Sequence, residues 1–375
     1  MAADMIVKAV YKIQSVQHSC LEPHASMAAW DGGNVRVVES TQGVSALPGS
    51  IAGALGLPQH AVKAEGRFTG GGFGSKVGMW MHTPAVAGAA KELERPVKRA
   101  NSRAAELMTG GGRPPQEIRA SLTVDEEGKI TGRQLQPRSV SMNGQGWTTI
   151  LRGPGAPERQ FAEDSLVDEA AEAVGLDPLQ VRLVNQMGKK EWFDRGADRI
   201  GWAKRARPAG AGPGPLKRGM GVGLGSFAGR NGCQFAEVEV DVETGQVKVV
   251  KVVAILDGGY INRLTAEGQV RGGVIMGMSW ALFEERMMDG GMGLMVNADW
   301  HFYKLASVMD APEIEVIFLG EQGDPTGLGE QPVVPTGGAI ANAIFNATGA
   351  RVREMPMTPR RVMEALTAAG QEPGK

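Results

Sequence analysis

The alternation of hydrophobic and polar residues along this chain predicts most of its β-strands. Alternating runs predict strands over 4–12, 28–30, 35–39, 61–67, 96–100, 116–124, 129–136, 234–240, 246–256 and 313–318. The turn residues Glu243-Thr244-Gly245 separate two of these runs, which predicts a β-hairpin. A second hairpin is predicted at Asp125–Gly128.

Apolar residues three and four positions apart predict helices between these strands. The predicted helices cover 48–57, 85–93, 158–174, 178–185, 268–285, 334–344 and 359–369. Asp177-Pro178 suits the start of one of them, because Asp caps a helix and Pro fits its first turn. The acids at 163, 164, 168, 169 and 172 are interpreted as the solvated face of another.

Composition places the chain among globular proteins and argues against nucleic acid as a partner. The 375 residues suffice for two or three domains, with 42% hydrophobic and 22% charged residues. The net charge of −1 provides no basic surface for nucleic acid. The 54 glycines, about twice the usual share, indicate irregular backbone near ligands. Residues 203–218 are rich in Pro, Gly and basic residues, so we interpret them as a linker with solvated charges.

The two cysteines restrict the metal and redox chemistry that this chain can carry. Cys20 and Cys233 can neither ligate an iron–sulfur cluster nor build a four-cysteine zinc site. His18, Cys20 and His24 match no zinc spacing, and we interpret the two histidines as hydrogen-bonded turn residues. A reducing compartment fits this cysteine content. No apolar run approaches the roughly 20 residues of a membrane span, and no leader is evident, so we expect a cytoplasmic protein without a membrane partner.

Two glycine-rich loops are candidates for ligand binding. Gly70–Lys76 stands between a predicted strand and a predicted helix, the arrangement that cradles phosphates. Ser75 and Val77 break the dinucleotide and P-loop fingerprints, so the loop is either a tight turn or a backbone site for another anion. Glu330 lies in the second loop, 324–332, before a small-residue helix pattern. Taken alone it is more typical of an exposed loop residue; a buried Glu there would suit a general base.

The order of these loops resembles the molybdopterin-binding large subunit of the xanthine dehydrogenase/aldehyde oxidase family. The segments that carry the resemblance are 21–24, 40–42, 70–74, 152–155, 161–165, 177–185, 268–273, 327–330 and 339–349. They follow one another in the family's order over nearly the whole chain. The resemblance implies an α+β, two-lobed molybdenum-cofactor-binding domain. Its lobes would be 1–200 and 219–375, joined by the linker 201–218, with the catalytic loop in the second lobe.

The resemblance also implies a role for each site residue. Glu330 matches the family's catalytic base, which helps a water-derived oxygen to attack an electron-poor carbon. The positions that match the cofactor-binding residues are Gln42, Gly71, Gly72, Phe73, Gly74, Arg152, Gly272 and Gly273. The pterin would hold the metal, so no side chain is expected to ligate it. We expect molybdopterin, as a dinucleotide, in this chain, with iron–sulfur and FAD groups in partner subunits.

The chain departs from the family's pattern in ways that leave two functions open. We expect no N-terminal hammerhead-like domain, because Met1 lies almost at the first strand, and no long central segment between Gly225 and Gln234. Val77 replaces an acid found in purine-oxidising members, which favours an aldehyde or N-heterocycle as the small-molecule substrate. The chain is either a compact molybdenum hydroxylase subunit of a hetero-oligomer, with a second chain supplying missing segments, or a non-catalytic remnant or assembly subunit without molybdenum.

Overall fold

The strands of the computed structural model form three four-stranded sheets within the described residues, which are 4–139, 150–323 and 327–371. The strands are β1 (Met5–Ile13), β2 (Ala25–Asp31), β3 (Asn34–Glu39), β4 (Val62–Glu65), β5 (Val97–Ala100), β6 (Gln116–Val124), β7 (Ile130–Ser139), β8 (Leu216–Phe227), β9 (Arg230–Asp241), β10 (Val247–Asp257), β11 (Glu313–Phe318) and β12 (Glu354–Met355). Their orders are β12-β1-β6-β7, β11-β10-β9-β8 and β4-β3-β2-β5.

Nine helices separate these strands along the described residues. They are α1 (Leu47–Leu55), α2 (Thr83–Glu92), α3 (Arg103–Thr109), α4 (Ala156–Ala173), α5 (Pro178–Val184), α6 (Lys190–Ile200), α7 (Arg263–Leu282), α8 (Thr336–Thr348) and α9 (Pro359–Ala368). Asp177 caps α5 as predicted, since its side chain accepts a hydrogen bond from the Leu179 N–H over 2.8 Å. Among the described residues, none of these helices combines the length and the apolarity that a membrane span requires.

Strand β8 allows helix α8 to lie directly on its sheet, because every second residue from Gly219 to Gly225 is glycine. A Cβ atom on Gly219, Gly221 or Gly223 would lie less than 3 Å from backbone atoms of α8 or of the residue before it. The missing side chains therefore bring helix and sheet backbones closer than any larger residue would permit. Strand β8 was not predicted, because alternating glycines resemble a loop.

The main hydrophobic cluster draws on both predicted lobes. Tyr11 and Phe161 of the first lobe meet edge to face with ring centroids 5.3 Å apart. The same buried cluster contains Val238 and Ile344 of the second lobe. Strand β12 also pairs with β1 across the two segments. The lobe boundaries remain a prediction. The two predicted lobes share one hydrophobic core.

The acidic face predicted for α4 is wrong, because several of its acids are buried. Glu163 is 5% exposed, and Asp164 and Asp168 are fully buried. Arg182, also fully buried, donates to Asp168 over 2.6 Å and to Asp164 over 3.0 Å. A buried carboxylate needs such a partner, since desolvation otherwise disfavours its charge. The pattern of α4 alone did not reveal that α5 would supply the arginine.

The predicted linker is also partly wrong, because one of its charges is buried. Arg205 is 7% exposed, and its Nε donates to the Met220 carbonyl over 3.3 Å. Burial lowers the pKa of this guanidinium from its usual value. Farther on, Ala228 and Gly229 join β8 to β9 with φ angles of 49° and 76°. These left-handed residues make a two-residue hairpin turn where relatives were expected to carry a long central segment.

Candidate active site

The loop Gly70–Lys76 follows β4 and packs tightly against its neighbours. A Cβ on Gly72 would lie less than 3 Å from the Gln42 side chain, and one on Gly74 would lie equally close to the Ile150 carbonyl. Gly71 and Gly74 have φ angles of 97° and 108°, which strongly favour glycine. Helix α2 begins at Thr83, close to the start predicted for it, and residues 77–82 separate it from the loop.

Gln42 holds this loop with its own amide oxygen. Its Oε1 accepts hydrogen bonds from the N–H groups of Gly74 and Lys76 over 3.0 and 3.3 Å. The Gln42 N–H donates in turn to the Lys76 carbonyl over 2.7 Å. Two of the amides expected to face a ligand are thus used within the chain. The Nε2 group of the exposed Gln42 is the donor available for a ligand.

An ion pair between buried Lys76 and half-buried Glu22 anchors the same loop. Lys76 is fully buried, and its Nζ donates to the Glu22 carbonyl over 2.8 Å and to Glu22 Oε2 over 2.9 Å. Glu22 Oε2 also accepts from the Gly70 N–H over 2.6 Å. Burial opposes ionisation of Glu22, but hydrogen bonds from Lys76, Ser40 and Gly70 outweigh it and lower the pKa of this carboxyl. These contacts fix the loop at Gly70 and at Lys76.

Phe73, in the middle of this loop, has a backbone conformation that phenylalanine seldom adopts. Its φ angle is 51°, and its side chain is 39% exposed. A bulky residue in the left-handed region costs free energy, and such strain concentrates at functional sites. Its carbonyl accepts a hydrogen bond from the Arg152 N–H over 2.9 Å, which joins the loop to the next predicted site residue.

Arg152 joins three segments of the predicted site. Its Nε donates to the Gly329 carbonyl, and its Nη2 donates to Gln269 on α7 through the carbonyl at 3.0 Å and Oε1 at 3.2 Å. Arg152 is 6% exposed, and burial lowers the pKa of its guanidinium to about 10 although Glu330 acts in the opposite direction. The side chain therefore remains a cation at neutral pH.

Glu330 lies beside Arg152, but it is not buried. The Gly153 N–H donates to Glu330 Oε1 over 3.2 Å, and the side chain is exposed to solvent. Glu330 is thus exposed, as the loop pattern alone indicates, and the chain by itself does not supply the burial that would suit a general base. Residues 324–326 of its loop lie outside the described residues. Glu330 precedes a single 3-10 turn, Gln331–Val333, that leads into α8.

Gly272 and Gly273 on α7 have different surroundings. A Cβ on Gly273 would come within 2.7 Å of Pro332, so this glycine permits close packing of α7 against the residues after Glu330. Gly272 is exposed, and a Cβ there would lie 3.9 Å from Arg152 Nη1. The space beside Gly272 and Nη1 is open to a ligand. Gly272 therefore fits a cofactor position better than Gly273 does.

Several residues that support the site through hydrogen bonds were not predicted from the sequence. Arg113 and Glu158 lie beneath the Arg152–Gly153 turn, where Arg113 Nη2 donates to the Arg152 carbonyl over 2.9 Å. His24 lies behind the glycine loop, where its Nδ1 is 2.6 Å from Glu106 and its Nε2 is 3.1 Å from the Ser75 carbonyl. The interpretation of His24 as a hydrogen-bonded turn residue is thus confirmed. No local pattern identifies these partners, since they lie 51 and 82 positions away from His24.

Contacts join the predicted residues into one open face, in which Gln42, Phe73, Gly272 and Glu330 are exposed. Gln42 presents an amide donor, Arg152 presents a buried cation beside a glycine, and Glu330 presents a carboxylate. Amide and guanidinium donors suit oxo and phosphate oxygens, whereas the carboxylate suits proton transfer. Within the described residues, no three His, Cys, Asp or Glu side chains gather as a metal site. The amide and guanidinium donors fit the anionic oxygens of an organic cofactor.

Family models for a molybdopterin cofactor-binding domain match residues 1–144, 137–186 and 226–312. This chain belongs to the molybdopterin-binding subunits of the molybdenum hydroxylases. The xanthine dehydrogenase molybdenum-binding subunit of Escherichia coli O157:H7 is 23% identical over 98% of this chain and 78% of that protein. One of the subunits of nicotinate dehydrogenase from Pseudomonas putida is 34% identical over 60% of this chain, but over only 20% of that protein.

Solved structures of molybdenum hydroxylases share the fold. Quinoline 2-oxidoreductase from Pseudomonas putida 86 matches with a TM-score of 0.84 and 15% identity, over 97% of this chain and 76% of that one. Aldehyde oxidoreductase from Desulfovibrio gigas also gives 0.84, with 19% identity over 98% of this chain and 62% of that one. The 588-residue alignment with the Escherichia coli subunit exceeds this chain of 375 residues, so long stretches of that relative have no counterpart here.

Proposed function

We propose that this chain holds a molybdopterin-bound molybdenum and hydroxylates an aldehyde or N-heterocycle, with water as the oxygen source. The observation that carries the proposal is the convergence of Gln42, Phe73, Arg152 and Glu330, which come from distant segments, on one face. The bound cofactor supplies the two-electron oxidation and the transfer of oxygen. The chain supplies binding, orientation and proton transfer.

Each of these residues has a distinct part in the proposal. The Nε2 of Gln42 and the Nη1 of Arg152 hold anionic oxygens of the cofactor, beside Gly71–Gly74 and Gly272. Glu330 is the base: its Oε1 is engaged by the Gly153 N–H, which leaves Oε2 to accept a proton. The Arg152 cation balances the negative charge that gathers at this face.

The exposure of Glu330 supports a further part of the proposal, a second polypeptide that covers the site. A general base works best when water is excluded, and this chain leaves Glu330 open. The two-residue turn at Ala228-Gly229 stands where relatives were expected to have much more chain. We therefore assign the covering role to a partner chain. Iron–sulfur and FAD subunits would complete a cytoplasmic complex, and the pterin would be a dinucleotide.

The proposed substrate class rests on Val77, the residue that follows the glycine loop. Val77 is 45% exposed next to the glycine loop and offers no charge to a purine. Relatives and neighbours named for nicotinate, isoquinoline, quinoline and aldehydes support this choice, whereas the Escherichia coli subunit is named for xanthine. The test is reduction of a dye acceptor by the purified complex with a panel of aldehydes, N-heterocycles and xanthine. Turnover of an aldehyde or N-heterocycle supports the proposal, and turnover of xanthine alone contradicts the substrate class.

The exposure of Glu330 also favours a second candidate function. A chain that keeps the fold but lacks the central segment would suit a non-catalytic assembly or interaction subunit without molybdenum. The exposed Glu330 and the short β8–β9 turn both favour it. The two candidates differ in metal content, which is measurable directly.

A further inference from the structure

Arg113 and Glu158 form a buried ion pair directly beneath the Arg152–Gly153 turn. Arg113 is 3% exposed and Glu158 is 1% exposed. The Nη1 of Arg113 lies 3.1 Å from each carboxylate oxygen of Glu158. Glu158 lies in the first turn of α4, where the helix dipole also favours a carboxylate.

The same guanidinium binds the backbone of the turn. Arg113 Nη2 donates to the Arg152 carbonyl over 2.9 Å, and Nη1 donates to the Gly153 carbonyl over 3.4 Å. Arg113 is itself fixed to the scaffold, since its N–H donates to the Val16 carbonyl over 2.9 Å and its guanidinium lies 5.4 Å from the Trp280 ring. The pair is thus a rigid support for this turn.

The support reaches Glu330 through a single peptide group. The Arg152 carbonyl and the Gly153 N–H belong to the same planar peptide unit, and in a trans peptide they point in opposite directions. Arg113 holds the carbonyl on one side, so the N–H on the other side is directed at Glu330 Oε1. Rotation of that peptide would break both hydrogen bonds together.

We propose that Arg113 and Glu158 are positioning residues, which set the orientation of Glu330 and of Arg152 by fixing the peptide between residues 152 and 153. The catalytic part of this inference rests on the function proposed above, whereas the orientation of the peptide does not. Lysine cannot replace Arg113, because a single ammonium lacks the planar fork that reaches a carboxylate and a carbonyl at once.

The test compares Arg113→Lys and Glu158→Gln with Arg361→Lys. Arg361 is a matched control: it is 7% exposed and donates to Glu285 and to the Pro356 carbonyl, each over 2.9 Å. Amide hydrogen exchange of residues 151–155 is measured in each variant, with kcat, KM and metal content of the complex alongside. The neutral Glu158→Gln keeps the side-chain shape, so it decides the matter if Arg113→Lys does not fold.

We expect exchange at Gly153 to rise about fivefold or more in Arg113→Lys and Glu158→Gln, because the loss of one backbone hydrogen bond releases the peptide. We also expect kcat to fall about tenfold or more, with KM and metal content near wild type, since misorientation of a catalytic group by about 1 Å has large effects on rate. Arg361→Lys should lower the melting temperature without either effect. Unchanged exchange at Gly153 overturns the positioning role, whether or not the chain binds molybdenum. A wild-type complex without molybdenum contradicts the proposed function and leaves the exchange result valid.

Discussion

The Gly153 N–H and the Glu330 carboxylate lie 3.2 Å apart, although 177 positions separate the two residues in the chain. This hydrogen bond closes a series of contacts that runs from Gln42 through the glycine loop and Arg152 to Glu330. The site is therefore assembled by the fold and not by any local motif. The Gly153 hydrogen bond engages Oε1 of Glu330 and leaves Oε2 available to accept a proton.

Replacement of Glu330 by glutamine should separate catalysis from cofactor binding. Glu330→Gln keeps an oxygen that can accept from Gly153, but it removes the proton acceptor. We expect turnover to fall by at least about 100-fold, in the range that general-base catalysis contributes, with metal content near wild type. The measurement is steady-state turnover beside metal analysis of the same preparation. Wild-type turnover in this variant would remove Glu330 from the mechanism.

Replacement of Gly221 by alanine should destabilise the fold through the contact between β8 and α8. The added Cβ would meet backbone atoms of Ala339 and Ala343 at less than 3 Å, and backbone cannot move aside as a flexible side chain can. We expect a loss of about 3 kcal/mol in the free energy of unfolding, at the upper end of typical overpacking.

The control for this prediction is Gly88→Ala, within α2. A Cβ there meets nothing within 4 Å, so alanine should stabilise the helix by about 0.5–1 kcal/mol. Chemical denaturation of both variants measures the two effects. Equal stabilities for the two variants would show that the glycines of β8 have no packing role.

Glu284 should make stability depend on pH near neutrality. Burial raises its pKa to about 7, although hydrogen bonds from Ser279 and Tyr303 oppose the shift. A carboxyl that is harder to ionise when folded stabilises the protein while it is protonated. This contribution is complete below about pH 4.5 and is lost as the pH rises through about 7, which amounts to about 3 kcal/mol.

The measurement is the free energy of unfolding of wild type relative to Glu284→Gln between pH 4.5 and 8. We expect wild type to lose stability relative to the variant as the pH rises, because glutamine does not ionise. Glu191→Gln, on the exposed part of α6, controls for the loss of a surface carboxylate. A constant difference between wild type and Glu284→Gln across this range would contradict the shifted pKa.

Sequence patterns predicted the elements whose environment repeats regularly. The strand predicted at 246–256 corresponds to β10, although residues 252–256 are buried on both faces of the sheet. Helix α6 was missed although Trp192, Phe193, Gly196 and Ile200 are buried at helical spacing, a signal that was present. Strand β8 was missed because its defining feature, contact with α8, exists only in the folded chain.

The membership of the site stays a prediction, and several contacts around its residues were not predicted. The resemblance to a family identified Gln42, Phe73, Arg152 and Glu330, and the fold brings them together. The loop pattern around Glu330 is typical of an exposed residue, and Glu330 is exposed. The sequence did not indicate Arg113, whose contacts with Arg152 and Gly153 span 39 and 40 positions.

The most direct measurement of the central claim is molybdenum content per chain, by elemental analysis of the protein purified with its neighbouring gene products. The residues at the open face match donors for a molybdopterin, so we predict about one molybdenum per chain and reduced content in Arg152→Ala. An absence of molybdenum, under conditions that load a related hydroxylase, would contradict the enzyme and favour the assembly subunit.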